Sequence, residues 1–354
     1  MDPRIEKLAE ILTNYSIKIK EGNQIMIDYG IAAQELALAC YKHVLKLGAI
    51  PNMRVSIPGQ EVALYEFASE KQLQTPPLTA KFEAENADGI IRIVAPENTR
   101  ELTSSDPHKM ALRRKAIFPI KEIMLEKNNW VLFYFPTLAL AQDAEMSLEE
   151  FENFVYDACL VDWKAEEARQ EKLKQALDAG KNVRIVAKNT DLTFSIDNRQ
   201  GIKCCGKRNM PDGEVFIAPV EDTTEGHIEY SFPAIYGGRE VAGVKLTFKN
   251  GKVVEATAEK NEKFLKEMIA MDEGASKLGE FGVATNFNIQ KHVKQILFDE
   301  KIGGSIHLAL GMAYKEGNGQ NESDLHWDMI LDLRQGGYVE IDGKKILEDG
   351  TFLL

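Results

Sequence analysis

The chain has 354 residues, of which 43 are Lys or Arg and 55 are Asp or Glu, for a formal net charge of −12. That acidity excludes a nucleic-acid backbone or an anionic membrane surface as a partner, and leaves room for cationic ligands, metals and free amino termini included. At 44% hydrophobic and 28% charged residues the composition is that of a globular protein, so disorder, collagen and coiled coil are excluded, and the length leads us to expect two domains.

The start of the chain, Met1-Asp2-Pro3-Arg4, is charged and lacks the apolar centre of a signal peptide. Ile5, Leu8, Ile11 and Leu12 form a helical stripe. Gln24–Tyr29 reads as a strand and Ala32–Leu47 as a helix stopped by Gly48. Met53–Ile57, Gly89–Val94 and Trp130–Phe135 read as further buried strands, with helical patterns between them, including Asp106–Ile123. The longest apolar stretch, Val131 to Ala141, is about half a membrane span and contains Pro136. The alternation predicts a mostly parallel sheet with helices on both faces. A long acidic helical region, Ser147 to Ala179, ends at Gly180. We expect an α/β domain over residues 1–180 and an α+β domain over 181–354.

The second half has a different pattern. Asn182–Ala187, Leu192–Ile196, Val215–Ala218 and Ile228–Phe232 are short strands. Val244–Phe248 and Val253–Ala258 flank Lys249-Asn250-Gly251-Lys252, a strong hairpin signal. Asp342-Gly343 gives a second hairpin, between Tyr338–Ile341 and Lys345–Leu347. One helix, about Asn261–Asp272, interrupts the run. A largely antiparallel sheet is expected. The four cysteines, Cys40, Cys159, Cys204 and Cys205, lack metal-type spacing and read as reduced thiols, so a cytoplasmic location is expected.

Chemistry concentrates in this half. His326–Leu333 reads as a strand, and side chains two apart on a strand share a face. His326 and Asp328 therefore project together while Trp327 faces away, which makes a corner suited to a borderline metal. His307 lies on the apolar strand Ser305–Leu310, followed by Tyr314. Glu214 follows Pro211-Asp212-Gly213, and Glu280 follows Leu278-Gly279. Carboxylates pressed into apolar, Gly-bounded sequence need partners, because an unpaired buried charge is costly. Each signal alone has a bland reading: a satisfied core pair, a turn cap, a helix end, a packing tyrosine. Together they are three carboxylates and two imidazoles in one domain, a set suited to two divalent ions.

These residues carry a resemblance. Met210–Pro219 (MPDGEVFIAP), Asp272–Glu280 (DEGASKLGE), Phe298–His307 (FDEKIGGSIH) and Leu325–Asp328 (LHWD) resemble, in order and spacing, the motifs of the aminopeptidase T / aminopeptidase S family of cocatalytic metallopeptidases. Asp191–Phe194 and Phe135–Thr137 are similar to that family as well, and the likeness runs from about Asp2 to Phe352. It implies metal ligands at Glu214, Glu280, His307, His326 and Asp328, a site tyrosine at Tyr314, and two divalent ions (zinc, cobalt or manganese). It implies hydrolysis of N-terminal residues from short peptides by a water that the two metals activate. Glu214 or Glu280 would carry the proton, and Tyr314 would support the oxyanion. A homodimer enclosing the site is also implied. Lys315–Leu325 is shorter than in the longer family members, and the loop after Ile57 looks trimmed. The alternative is a ring-cleaving dioxygenase on the same scaffold, with one iron on His326, Asp328 and Glu214. The presence of Glu280 and His307 favours the peptidase.

Overall fold

The computed structural model describes residues 2–354. It divides into two compact units, Met1–Leu160 with Gly206–Pro211, and Val161–Cys205 with Asp212–Leu354.

The first unit is α/β. Its five-stranded sheet is parallel throughout, in the order Ile50–Ser56, Gln24–Gly30, Gly89–Val94, Trp130–Tyr134, Asn209–Met210. The inner strands place Ile25, Ile27, Ile91, Ile93, Val131 and Phe133 in the core, as continuous apolar strands covered on both faces should. The first helix, Pro3–Ile11, begins at Asp2, whose carboxylate accepts from the Arg4 amide at 2.8 Å; such a cap satisfies a donor left over at the helix start. The helix Gln34–Lys46 buries Leu36, Ala37, Cys40 and Val44 and stops before Gly48, which is at φ +75°.

Two local expectations are corrected here. The strand expected at Met53–Ile57 runs Ile50–Ser56 and is not buried: Met53 is 41% and Val55 44% exposed. It is the sheet's edge, paired only with Gln24–Gly30 among the described residues. The acidic region Ser147–Ala179 is two helices, Leu148–Cys159 and Trp163–Ala179. Ser147 and Glu150 form a capping box on the first, and Asp162 caps the second by accepting from the Lys164 and Ala165 amides. A capping aspartate inside a helical pattern offers the backbone a new start.

The second unit is α+β and holds two large antiparallel sheets and a two-stranded ribbon, Ala234–Tyr236 with Arg239–Val241. The eight-stranded one runs Lys252–Thr257, Lys245–Lys249, Glu225–Glu229, Thr190–Ser195, Asn182–Ala187, Tyr338–Ile341, Lys344–Glu348, Thr351–Phe352. Both hairpin turns are as expected: Asn250 and Gly251 lie at φ 49° and 78°, Asp342 and Gly343 at 49° and 80°. Two successive left-handed residues match the twist of the flanking strands. The other sheet has five strands, in the order His326–Asp332, Ser305–Gly311, Leu278–Ala284, Glu214–Ile217, Ile202–Cys204. One core serves both sheets, with Ile185, Leu192 and Phe194 from one and Val215, Ile217, Phe281, Val283, Leu308 and Trp327 from the other. Phe194 meets Phe281 edge-on at 5.3 Å between ring centres. The helix Trp163–Ala179 belongs to this unit and packs on Ile202–Cys204 and Glu214–Ile217.

Candidate metal centre

The five-stranded sheet sends its odd positions Val215, Ile217, Phe281, Val283, Trp327, Met329 and Leu331 into the core. Because side chains alternate, the residues between them share the opposite face. On Glu214–Ile217 these are Glu214 and Phe216, and on His326–Asp332 they are His326 and Asp328. On Ser305–Gly311 the core takes Ile306, Leu308 and Leu310, which leaves His307 and Ala309 to the other face.

Glu280 needs a further device. Leu278 is in the core, so strict alternation would bury Glu280 on the same side. The register shifts between Leu278 and Glu280 against Ser305–Gly311. This bulge re-aims the carboxylate to the other face. Gly279 makes it possible: a Cβ there would lie 2.3 Å from the Gly311 carbonyl oxygen and 2.4 Å from that of Met312.

Register then brings the donors together. Ala309 pairs with Glu280 on one side and Asp328 on the other, Gly282 pairs with His307, and Gly311 with His326. Small residues thus sit between the large polar ones. A Cβ on Gly282 would lie 2.0 Å from His307 Cε1. Gly282→Ala is therefore expected to displace the imidazole and destabilise the protein by about 1–3 kcal/mol through overpacking. Thermal unfolding of the variant measures this; an unchanged midpoint would refute the clash between residue 282 and the His307 ring.

Both imidazoles are anchored at Nδ1. That of His307 donates to the Glu300 carbonyl at 3.0 Å and that of His326 to the Met312 carbonyl at 2.9 Å. A carbonyl only accepts, so Nδ1 carries the proton and Nε2 faces the site in each ring. His307 Nε2 lies 3.0 Å from Glu280 Oε1 and 3.3 Å from Glu214 Oε2. His326 Nε2 lies 3.9 Å from Glu280 Oε2 and 3.6 Å from Asp328 Oδ1. All five expected ligands therefore come together, in the corners Glu214–Glu280–His307 and Glu280–His326–Asp328. Tyr314 flanks them, its ring centre 5.3 Å from that of His326 and 5.6 Å from that of Phe216.

The electrostatics are those of a carboxylate cluster short of positive charge. Burial drives the carboxyls of Glu214 and Asp328 upward, against the pull of Lys301 on the first and His326 on the second. Burial would also raise Glu280, but the hydrogen bond from His307 and the charges of His326, His307 and Lys301 outweigh it and hold the group low. Burial disfavours charge on His307, yet Glu214 and Glu280 outweigh it and lift the imidazole to about 10. Burial and then Glu280 and Asp328 push the Tyr314 phenol up, so it keeps its proton. Glu214 Oε2 and Asp328 Oδ1 are buried with no hydrogen-bond donor. Orphaned carboxylate oxygens beside imidazoles whose Nε2 atoms are turned to the site fit a divalent ion.

The sequence reading did not single out Lys301, Asp212, Cys204 or Glu300, although the first and last lie inside Phe298–His307 and Asp212 inside Met210–Pro219. Lys301 is fully buried, with its ammonium 3.4 Å from Glu214 Oε1, 3.9 Å from Asp212 Oδ1 and in contact with Glu300. Its neighbours Asp299 and Glu300 give it the look of a solvated charge run, and that hid it.

Comparison with known proteins places the chain among metallopeptidases. The model of a family described as thermophilic metalloprotease (M29) matches residues 1–352. Aminopeptidase PepS of Streptococcus thermophilus is 26% identical, over 98% of this chain and 95% of that protein. The structure of wild-type AmpT from Thermus thermophilus is similar with a TM-score of 0.88 at 23% identity, covering 99% of both chains. A 2,5-dihydroxypyridine dioxygenase of Pseudomonas putida shares the fold more distantly, with a TM-score of 0.66 at 13% identity over 99% of this chain and 96% of that one.

Proposed function

This chain belongs to the M29 metalloprotease family and is a metallopeptidase, and from that premise we propose that it is an aminopeptidase removing N-terminal residues from short peptides, with two divalent ions on the site face. The observation that carries the reading is the convergence of Glu214, Glu280, His307, His326 and Asp328 from four strands of one sheet, with both imidazoles turned Nε2-inward. Glu280 would serve both ions, since Oε1 lies beside His307 and Oε2 beside His326. Glu214 and His307 would complete one ligand set, His326 and Asp328 the other. Carboxylates mixed with imidazoles suit zinc, cobalt or manganese and select weakly among them.

Such ions, when bound, supply Lewis acidity to the scissile carbonyl and acidity to a water. The chain's own groups do the rest. Glu280, shared between two corners, is poorly placed to carry protons. Glu214 is the carboxylate that takes a proton from the attacking water and returns it to the leaving amine. Tyr314, protonated across the neutral range, donates to the oxygen that gains charge. The PepS relative is an aminopeptidase by name, and three carboxylates against two divalent ions would leave a net positive site that accepts the neutral α-amine of a substrate.

The test uses metal-depleted protein refilled with zinc, cobalt or manganese singly, assayed on a panel of aminoacyl chromogenic amides. Activity is expected to return only on amides with a free α-amine, with about two ions per chain by elemental analysis. Equal cleavage of N-acetylated amides would sink the exopeptidase reading, and a single iron per chain would sink the two-ion reading.

Among the described residues no helix is long and apolar enough to cross a membrane. The Cys40 and Cys204 thiols are not joined in disulfides, which supports a reducing cytoplasm. A homodimer is part of the proposal. The edge strand exposes Ile50, Met53 and Val55, and the same unit exposes Phe67, Leu78 and Phe82 by 77%, 88% and 67%. Exposed apolar surface beside an unpaired strand edge calls for a cover. Light scattering is expected to give twice the mass of one chain; an active protein at the single-chain mass would refute the dimer.

A further inference from the structure

A third corner of donors adjoins the two already described: Cys204, Asp212 and Glu214. It differs from them in one respect. The ammonium of Lys301 stands at it, 3.4 Å from Glu214 Oε1 and 3.9 Å from Asp212 Oδ1, with Glu300 also in contact. Lysine is almost never fully buried unless paired, and this one is 0% exposed. It is fixed at its root, because the short helix Ile296–Asp299 ends in a turn where the Lys301 amide donates to the Phe298 carbonyl at 3.1 Å. Its location is therefore built into the fold. A fixed ammonium and a divalent cation cannot share a few ångströms of protein interior without strong repulsion.

We propose that Lys301 is the resident cation of the Cys204–Asp212–Glu214 corner. It is a positioning residue that keeps a divalent ion out of that corner and holds Glu214 Oε1, leaving Oε2 to face His307. This rests on the reading of the adjoining Glu214–Glu280–His307 corner as an ion site. Lys301 thereby limits the number of ions to the two open corners. It also limits their kind, since it withholds the cluster's one sulfur and leaves oxygen and imidazole nitrogen, a donor set without the thiolate that soft metals prefer.

Lys301→Met removes the charge and keeps most of the length and apolar volume. Metal-depleted Lys301→Met protein, titrated with cadmium, is expected to take up one more ion per chain than the wild type. That ion should bring a thiolate-to-cadmium charge-transfer band, and Lys301→Met combined with Cys204→Ser should lose both ion and band. Equal cadmium uptake by wild type and Lys301→Met would overturn the proposal. The wild type provides a second measurement that does not depend on the variant folding: its cadmium spectrum should be unchanged by Cys204→Ser alone. A band in the wild type that Cys204→Ser abolishes would show the corner already open, and would also overturn the proposal. The readout is a difference between proteins. A wild type that binds no ion at all would sink the two-ion reading, while the difference would still decide the role of Lys301.

Discussion

Glu280→Gln is expected to cost on the order of 10³-fold in turnover, the equivalent of about 4 kcal/mol. The substitution keeps the size of the side chain and removes its charge. One of the two oxygens becomes an amide nitrogen, which donates rather than accepts. Oε1 lies 3.0 Å from His307 Nε2 and Oε2 3.9 Å from His326 Nε2, so either orientation of the amide spoils one ligand set. The negative charge that both ions would share is lost in both. The assay is turnover on a chromogenic aminoacyl amide, with metal content measured on the same sample. Metal retention should fall together with activity. Near-normal turnover with full metal content would remove Glu280 from the site altogether.

Exhaustive chelation is expected to abolish activity and to destabilise the protein. An ion present at a thousand times its dissociation constant adds about 4 kcal/mol to the folded state, and removing it takes that away. The ion-free cluster already shows how it would respond, because His307 is held protonated by Glu214 and Glu280 up to about 10. An entering ion must displace that proton, and the protons on carboxyls that burial has raised, Glu214 and Asp328. Binding therefore releases protons, so ions are held more tightly as pH rises and more loosely as it falls. Calorimetry in buffers of different ionisation enthalpy measures the release directly. Full activity after chelation, or an affinity that does not change with pH, would refute the account.

Parts of the fold follow from a few adjacent residues, and these were legible. The turns at Asn250-Gly251 and Asp342-Gly343 need two left-handed residues in a row, and those residue types supply them. His326 and Asp328 share a face because strand side chains alternate, and the structure keeps them there, with Trp327 in the core. Other features depend on what the chain packs against. The run Met53–Ile57 has the composition of a buried strand, but its place at the sheet edge leaves it exposed. Glu280 reaches the site only because a bulge at Gly279 breaks the alternation that its neighbours obey. Lys301, flanked by Asp299 and Glu300, looks solvated in sequence and is fully buried in the fold.

Residue identity alone thus determined the donor types, the family, the α/β-then-antiparallel character of the chain and the local turns. Each of these depends on side-chain chemistry or on backbone sterics over a few residues. Only the tertiary structure decided that Glu280 faces both imidazoles, that Gly282 and Ala309 leave them room, and that Lys301 closes the third corner. Those outcomes depend on strand register and sheet position, which are set by pairings between segments far apart in the chain and leave no mark on the sequence around any one residue.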